Sequence, residues 1–97
     1  MDKNIKYVLL YDYYGSLLTD KQQQYFEDYY FNNLSLSEIS ENNEISRNAV
    51  HKQLKEANEK LLYYEENLKL LSKAKKIRKI LKETQDKELM DKIENLI

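Results

Sequence analysis

Leu34-Ser-Leu-Ser-Glu-Ile-Ser-Glu-Asn-Asn-Glu-Ile-Ser-Arg-Asn-Ala-Val-His-Lys-Gln-Leu54 is the stretch on which the fold turns. Ser35 and Glu38 have the S-x-x-E spacing of a capping box, in which each side chain satisfies an unpaired N–H at a helix start. Asn42-Asn43 interrupts the helix, and Asn tolerates the left-handed backbone that such a turn often needs. Ser46 offers a second cap, and Arg47 to Leu54 restarts the helical period. Ile39, Ile45 and Val50 are spaced to meet between two helices crossing steeply. Ser40 is small enough to let the backbones approach. The pattern is a helix-turn-helix, whose second helix commonly enters the DNA major groove.

Downstream of Val50 the apolar positions continue as Leu54, Ala57, Leu61, Tyr64, Leu68 and Leu71. Steps alternating between four and three residues make a heptad seam. No glycine or proline interrupts residues 46–82, so the simplest expectation is one helix on the order of 50 Å long. A kink near Asn67 or Ser72 is the alternative. The seam must be covered by the first two helices or by a second subunit, and a homodimer is expected. Lys73-Ala-Lys-Lys-Ile-Arg-Lys-Ile-Leu-Lys82 is basic and amphipathic, with Ile77, Ile80 and Leu81 on its apolar side. Such a run serves either as a solvated face or as a phosphate-binding arm. A narrow apolar face without Trp or Phe argues against a membrane-surface helix. After a polar break at residues 83–87, Asp86 can cap a short helix carrying Leu89, Met90, Ile93, Leu96 and Ile97. The expected division is a helix-turn-helix domain over residues 1–66 and a C-terminal helical arm over 67–97.

Upstream, Ile5, Val8, Leu9 and Tyr11 give Lys3–Tyr14 near-helical spacing, and Gly15 fits a helix stop. Thr19 and Gln22 make another capping box. The helix that follows, Asp20–Phe31, places Tyr25, Phe26, Tyr29 and Tyr30 on nearly one face, with Leu18 stapling its entry. Nine tyrosines in 97 residues could stack on bases of a single strand. At helical spacing they more often form a core rim, ring inside and hydroxyl in water.

The chain is expected to be all-α, because it has no proline, one glycine, 34% charged and 41% hydrophobic residues. It lacks cysteine, which excludes disulfides and thiol chemistry. With no signal-peptide pattern and no apolar run long enough for a membrane span, a cytoplasmic location is expected. Net charge is −1, counter to the basic excess of most nucleic-acid binders. The charge is segregated, however. Seven basic residues and no acid lie between Lys69 and Lys82, whereas Asp20, Glu27, Asp28, Glu38, Glu41 and Glu44 face Lys21 alone over residues 19–45.

Catalytic readings fail on composition. His51 is the one histidine, and there is no Gly-rich phosphate loop. Glu27-Asp28 and Glu65-Glu66 are sequence neighbours that diverge on a helix, so neither pair suits a metal or acid–base site. No enzyme activity and no cofactor are expected. If Val50 and Leu54 point inward, Arg47, Asn48, His51, Lys52 and Lys55 point outward. Arg and Asn near the helix start suit guanine and adenine edges, and the lysines suit phosphates. Lys75, Lys76, Arg78 and Lys79 would add an electrostatic supplement.

The motif order Tyr14-Gly-Ser-Leu-Leu-Thr-Asp-Lys-Gln22, Tyr29-Tyr30, Leu34–Glu41, Ile45-Ser-Arg-Asn-Ala-Val50 and Leu62-Tyr-Tyr-Glu-Glu-Asn-Leu-Lys-Leu70 resembles the YlxM family. These are small bacterial helix-turn-helix proteins similar to region 4 of sigma factors. The resemblance spans roughly residues 5–71. It implies a non-enzymatic cytoplasmic protein of the signal recognition particle pathway, with the particle's GTPase or its RNA as partner. Two positions depart from the pattern. Asn43 stands where an apolar residue is expected, and Glu44 stands where Asn or Gly is frequent. The leading expectation is a regulatory or accessory protein that binds DNA or RNA through its helix-turn-helix. The rival is a protein–protein adaptor that docks on a component of the particle without nucleic acid.

Overall fold

The computed structural model describes residues 3–97, and all the regular secondary structure among them is helical. The helices are α1 (Ile5–Tyr14), α2 (Asp20–Tyr30), α3 (Leu36–Asn43), α4 (Arg47–Leu68), α5 (Leu70–Leu81) and α6 (Lys87–Glu94), with one 3-10 turn at Gly15–Leu17. Their starts are local chemistry. The Thr19/Gln22 and Ser35/Glu38 capping boxes both form, and Ser46 and Asp86 accept from the N–H groups of Ala49 and Leu89.

α4 is the axis of the fold. Val50, Leu54, Ala57 and Leu61 are fully buried along one stripe, packed against α1, α2 and α3. The heptad seam is thus covered from Val50 to Leu61 by the chain's own helices. Further along, Leu68 is exposed, and Leu71 rejoins the core from α5. α1 runs alongside α4 in the same direction. Its Asn4 and Tyr7 share a cavity with His51 and Lys55, while Tyr14 meets Tyr64 and Glu65 at the other end.

Of the expected Ile5, Val8, Leu9 and Tyr11, Leu9 and Tyr11 pack against the core from partly buried positions. Leu10 and Tyr14 are the buried positions, and Ile5 is exposed. α1 is apolar on nearly every side, so its sequence carries little directional information and packing on α4 chooses the face. The tyrosines act mainly as structure. Tyr14, Tyr25 and Tyr29 are buried, and the rings of Tyr11, Phe26 and Tyr30 form a stack with centroid spacings of 4.3 Å at both steps. Tyr63 is the exposed exception. Gly15 is required for a different reason from a left-handed stop. Its φ is −56°, and a Cβ there would lie 2.7 Å from the Tyr11 ring.

The turn between α3 and α4 also departs from expectation in detail. The left-handed residue is Glu44, at φ 54° and ψ 40°. Asn43 instead donates its amide to the Ile39 carbonyl at 2.7 Å, while the Ile45 N–H caps the Ser40 carbonyl at 3.1 Å. Ile39 and Val50 meet in the core, but Ile45, placed just beyond the left-handed residue, stays exposed.

The largest difference lies at residue 69. The simplest expectation, one helix over residues 46–82, gives way to its alternative of a break near Asn67 or Ser72: two helices meet where Lys69 adopts φ 57° and ψ 31°. A non-glycine residue in this conformation costs roughly 1–2 kcal/mol. The offset comes from Tyr14 and Glu65. The Leu70 N–H donates to the Tyr14 hydroxyl at 3.0 Å, and the Leu71 and Ser72 N–H groups donate to the two Glu65 oxygens at 3.1 and 3.0 Å. The Tyr14 hydroxyl in turn donates to Glu65 at 2.7 Å. Three orphan N–H groups at the start of α5 are thereby satisfied without a side-chain cap from Lys69.

Candidate nucleic-acid interface

With the stripe from Val50 to Leu61 buried, the opposite side of α4 is fixed outward. At about 100° per residue, Arg47, His51, Lys55, Asn48 and Lys52 fall within roughly 140° of arc. All five are exposed. Among the described residues none of the five is tied up in an ion pair or a side-chain hydrogen bond. Arg47, Asn48 and His51 surround one shallow cavity of about 290 Å³ beside Leu36 of α3. His51 and Lys55 line a second, larger cavity with Asn4 and Tyr7 of α1. Lys52 borders neither and projects from the flank of the arc. Glu59 intrudes on the same arc, and Glu41 and Glu44 are exposed on the α3 side, so the cationic field is local rather than general.

The basic residues of α5 do not join this cluster in a shared cavity. Lys76 and Lys79 are exposed on the outer side of α5. Lys75 borders a groove with Ile5, Lys6 and Leu9 of α1 and with Glu65. Arg78 is engaged internally, its Nε donating to Glu94 of α6 at 3.3 Å. Arg78 therefore pins α6 to α5 as well as carrying charge.

Sequence reasoning passed over two polar clusters. One is the Tyr14–Glu65 cap. Burial by itself pushes the Glu65 carboxyl up, but the Tyr14 hydroxyl, the Leu71 and Ser72 N–H groups and nearby Lys75 together hold it below the ordinary glutamate range. Glu65 looked like half of an inert acidic pair because its partners lie in α1 and α5. The other cluster is Asn58, which is buried on α4 and donates to the Tyr30 hydroxyl at 3.2 Å. A polar residue between Ala57 and Leu61, on the edge of an otherwise apolar stripe, was the signal that could have marked it.

Fold and surface together define an all-α helix-turn-helix protein, in which α3 and α4 form the motif. The chain belongs to the family described as "Putative helix-turn-helix protein, YlxM / p13 like" (UPF0122), which matches residues 1–97. Among its relatives, the UPF0122 protein of Malacoplasma penetrans is 46% identical over 85 residues, covering 88% of this chain and 79% of that protein. The UPF0122 protein of Fusobacterium nucleatum is 43% identical over 101 residues, covering 100% and 98% respectively. That of Halalkalibacterium halodurans is 42% identical over 92 residues, covering 95% and 83%. No helix among the described residues is long and apolar enough to cross a membrane.

Proposed function

We propose that the protein binds nucleic acid through the outer face of α4, as a regulatory or accessory factor of the signal recognition particle pathway. The observation that supports this is the exposed row Arg47, Asn48, His51, Lys52 and Lys55, which is left without internal partners among the described residues. Arg47 and Asn48 would reach base edges, and Lys52 and Lys55 would hold phosphates. Lys75, Lys76 and Lys79 on α5 would add sequence-independent attraction, with Arg78 divided between that role and Glu94. The assay is affinity for RNA and DNA against salt concentration. Binding should weaken steeply as salt rises, and Arg47→Ala with Lys52→Ala should reduce it and flatten the salt slope. Affinity that ignores both salt and the double substitution would rule the reading out.

One observation favours an adaptor role instead. Among the described residues, α6 buries no side chain fully, and its Leu89 is exposed, as is Leu96 just beyond its end. This amphipathic helix would then dock a protein component of the pathway or a second copy of the chain. The case for a homodimer accordingly moves from the α4 seam to α6. Capture from nuclease-treated lysate separates the readings. Recovery of the particle's GTPase without RNA, abolished by Leu89→Ala with Ile93→Ala, would favour the adaptor.

A further inference from the structure

At the start of α4 the two parallel helices α1 and α4 leave an open cavity of about 510 Å³. Asn4 and Tyr7 line it from α1, and His51, Lys55, Asn58 and Leu62 line it from α4. Its chemistry is mixed: an aromatic ring, an aliphatic wall, an amide, and a lysine balanced by Glu59. The amide is the informative part. Asn58 is only 7% exposed, and its Nδ2 donates to Tyr30. Its Oδ1 is shielded from solvent and accepts no hydrogen bond among the described residues. Exchanging the amide's oxygen and nitrogen does not repair this. Oδ1 could then accept from the Tyr30 hydroxyl, but Nδ2 would be left unpaired. A buried polar group with one end unpaired calls for an explanation, and an apolar residue would suit the neighbouring Ala57 and Leu61 better. The terminal amide torsion of Asn is soft, so the amide can turn from Tyr30 toward an occupant of the cavity, exchanging the Tyr30 bond for bonds that pair Oδ1 as well.

We propose that this cavity receives one unstacked nucleobase of a bound nucleic-acid strand. The ring of Tyr7 supplies a stacking face, as aromatic side chains do for single strands. Once turned from Tyr30, the Asn58 amide supplies a donor and an acceptor for the base edge. Lys55 and Glu59 leave the cavity close to neutral, which suits an uncharged base better than a phosphate. His51 borders both this cavity and the shallow one at Arg47 and Asn48, so a strand held by Arg47 continues into it without leaving the surface. A base locked in a duplex must first be unpaired to enter. The site therefore selects strands that carry an unpaired base. The proposal rests on α4 binding nucleic acid and adds which form of nucleic acid it prefers.

The test uses the full chain with three fluorescent probes: a short single-stranded RNA of mixed sequence, its DNA counterpart, and the blunt duplex of that DNA. The single strands should bind about tenfold more tightly than the duplex. Asn58→Leu should bring the single strands down to the duplex level while leaving duplex affinity and salt slope unchanged, because the phosphate contacts of Arg47, Lys52 and Lys55 remain. Tyr7→Leu, at a half-buried position, should do the same and stands in if Asn58→Leu fails to fold. In the folded protein, the Asn58 side-chain amide resonances should move on adding single strand and stay put on adding duplex. RNA and DNA single strands binding alike places recognition on the base; a preference for RNA adds a contact to the ribose. Equal affinity for single strand and duplex, or equal losses for both in the variants, overturns the cavity assignment but leaves α4 as the binding face. Adenosine monophosphate alone binding as tightly as the strands would make this a nucleotide pocket and overturn the strand proposal. Failure of every probe to bind overturns both readings.

Discussion

Replacing Tyr14 by Phe removes one oxygen atom from the junction between α4 and α5. That oxygen donates to Glu65 at 2.7 Å and accepts from the Leu70 N–H at 3.0 Å. Tyr14 is 1% exposed, so water cannot readily replace either bond. The substitution loses a hydrogen bond to a charged acceptor and leaves a helix-start N–H unpaired, together about 2–3 kcal/mol. For a domain of this size that lowers the melting temperature by about 8–24 °C. Glu65→Gln should cost a similar amount, because an amide nitrogen turned toward the Leu71 or Ser72 N–H cannot accept. The two losses should not add. Both dismantle one cap, so a double-mutant cycle should return a coupling of about 1–2 kcal/mol. Urea and thermal unfolding followed by circular dichroism measure all four proteins, with Tyr63→Phe on the exposed surface as a control that changes little. Amide exchange at Leu70, Leu71 and Ser72 should accelerate in Tyr14→Phe before exchange in the α4 core does. A loss below about 0.5 kcal/mol, or full additivity with Glu65→Gln, would refute the capping account of the helix break.

The same carboxylate makes a pH prediction. The folded-state pKa of Glu65 is held below its ordinary value of 4.5. Its contribution is therefore complete above that pH and is lost as pH falls through the lower folded value. The stability difference between the native chain and Glu65→Gln, measured in urea, should shrink below about pH 4.5 and be flat from there to neutrality. Glu44→Gly should stabilise the fold by about 0.5–1 kcal/mol, since it relieves a left-handed side chain while adding freedom to the unfolded chain. A lower urea midpoint in that variant would contradict the turn geometry. Gly15→Ala should destabilise by about 1–3 kcal/mol, because its methyl would press on the Tyr11 ring and disturb the stack with Phe26. Gly15→Ala combined with Tyr11→Leu should recover part of that loss in the same unfolding assay.

Legibility in the chain tracked the range of the interactions involved. The caps at Thr19, Ser35, Ser46 and Asp86 could be read directly, since donor and acceptor lie three residues apart. The outward set on α4 followed from periodicity once Val50 and Leu54 were taken as buried. By contrast, the spacing of α1 does not single out Leu10 and Tyr14 as its buried positions, because Ile5, Val8, Leu9, Leu10 and Tyr11 offer apolar groups all round. Arg78 looked like a free cation until α6 brought Glu94 within 3.3 Å. The cavity at Asn58 needs Tyr7 and Tyr30 from other helices, and nothing in the local pattern announces it.

The sequence by itself determined the helix-turn-helix, because its helix starts and the stripe from Val50 to Leu61 are set by contacts within a few residues on one helix. Only the tertiary structure decided where α4 stops. Residues 46–82 contain no breaker, and a left-handed lysine at 69 is unfavourable when considered alone. It is sustained by a tyrosine hydroxyl that binds the next residue's N–H across 56 residues of sequence and by a glutamate whose own hydrogen-bond partner lies 51 residues away. A helix can be started by its neighbours in sequence; this one is ended, and the next begun, by side chains that meet only after the chain has packed.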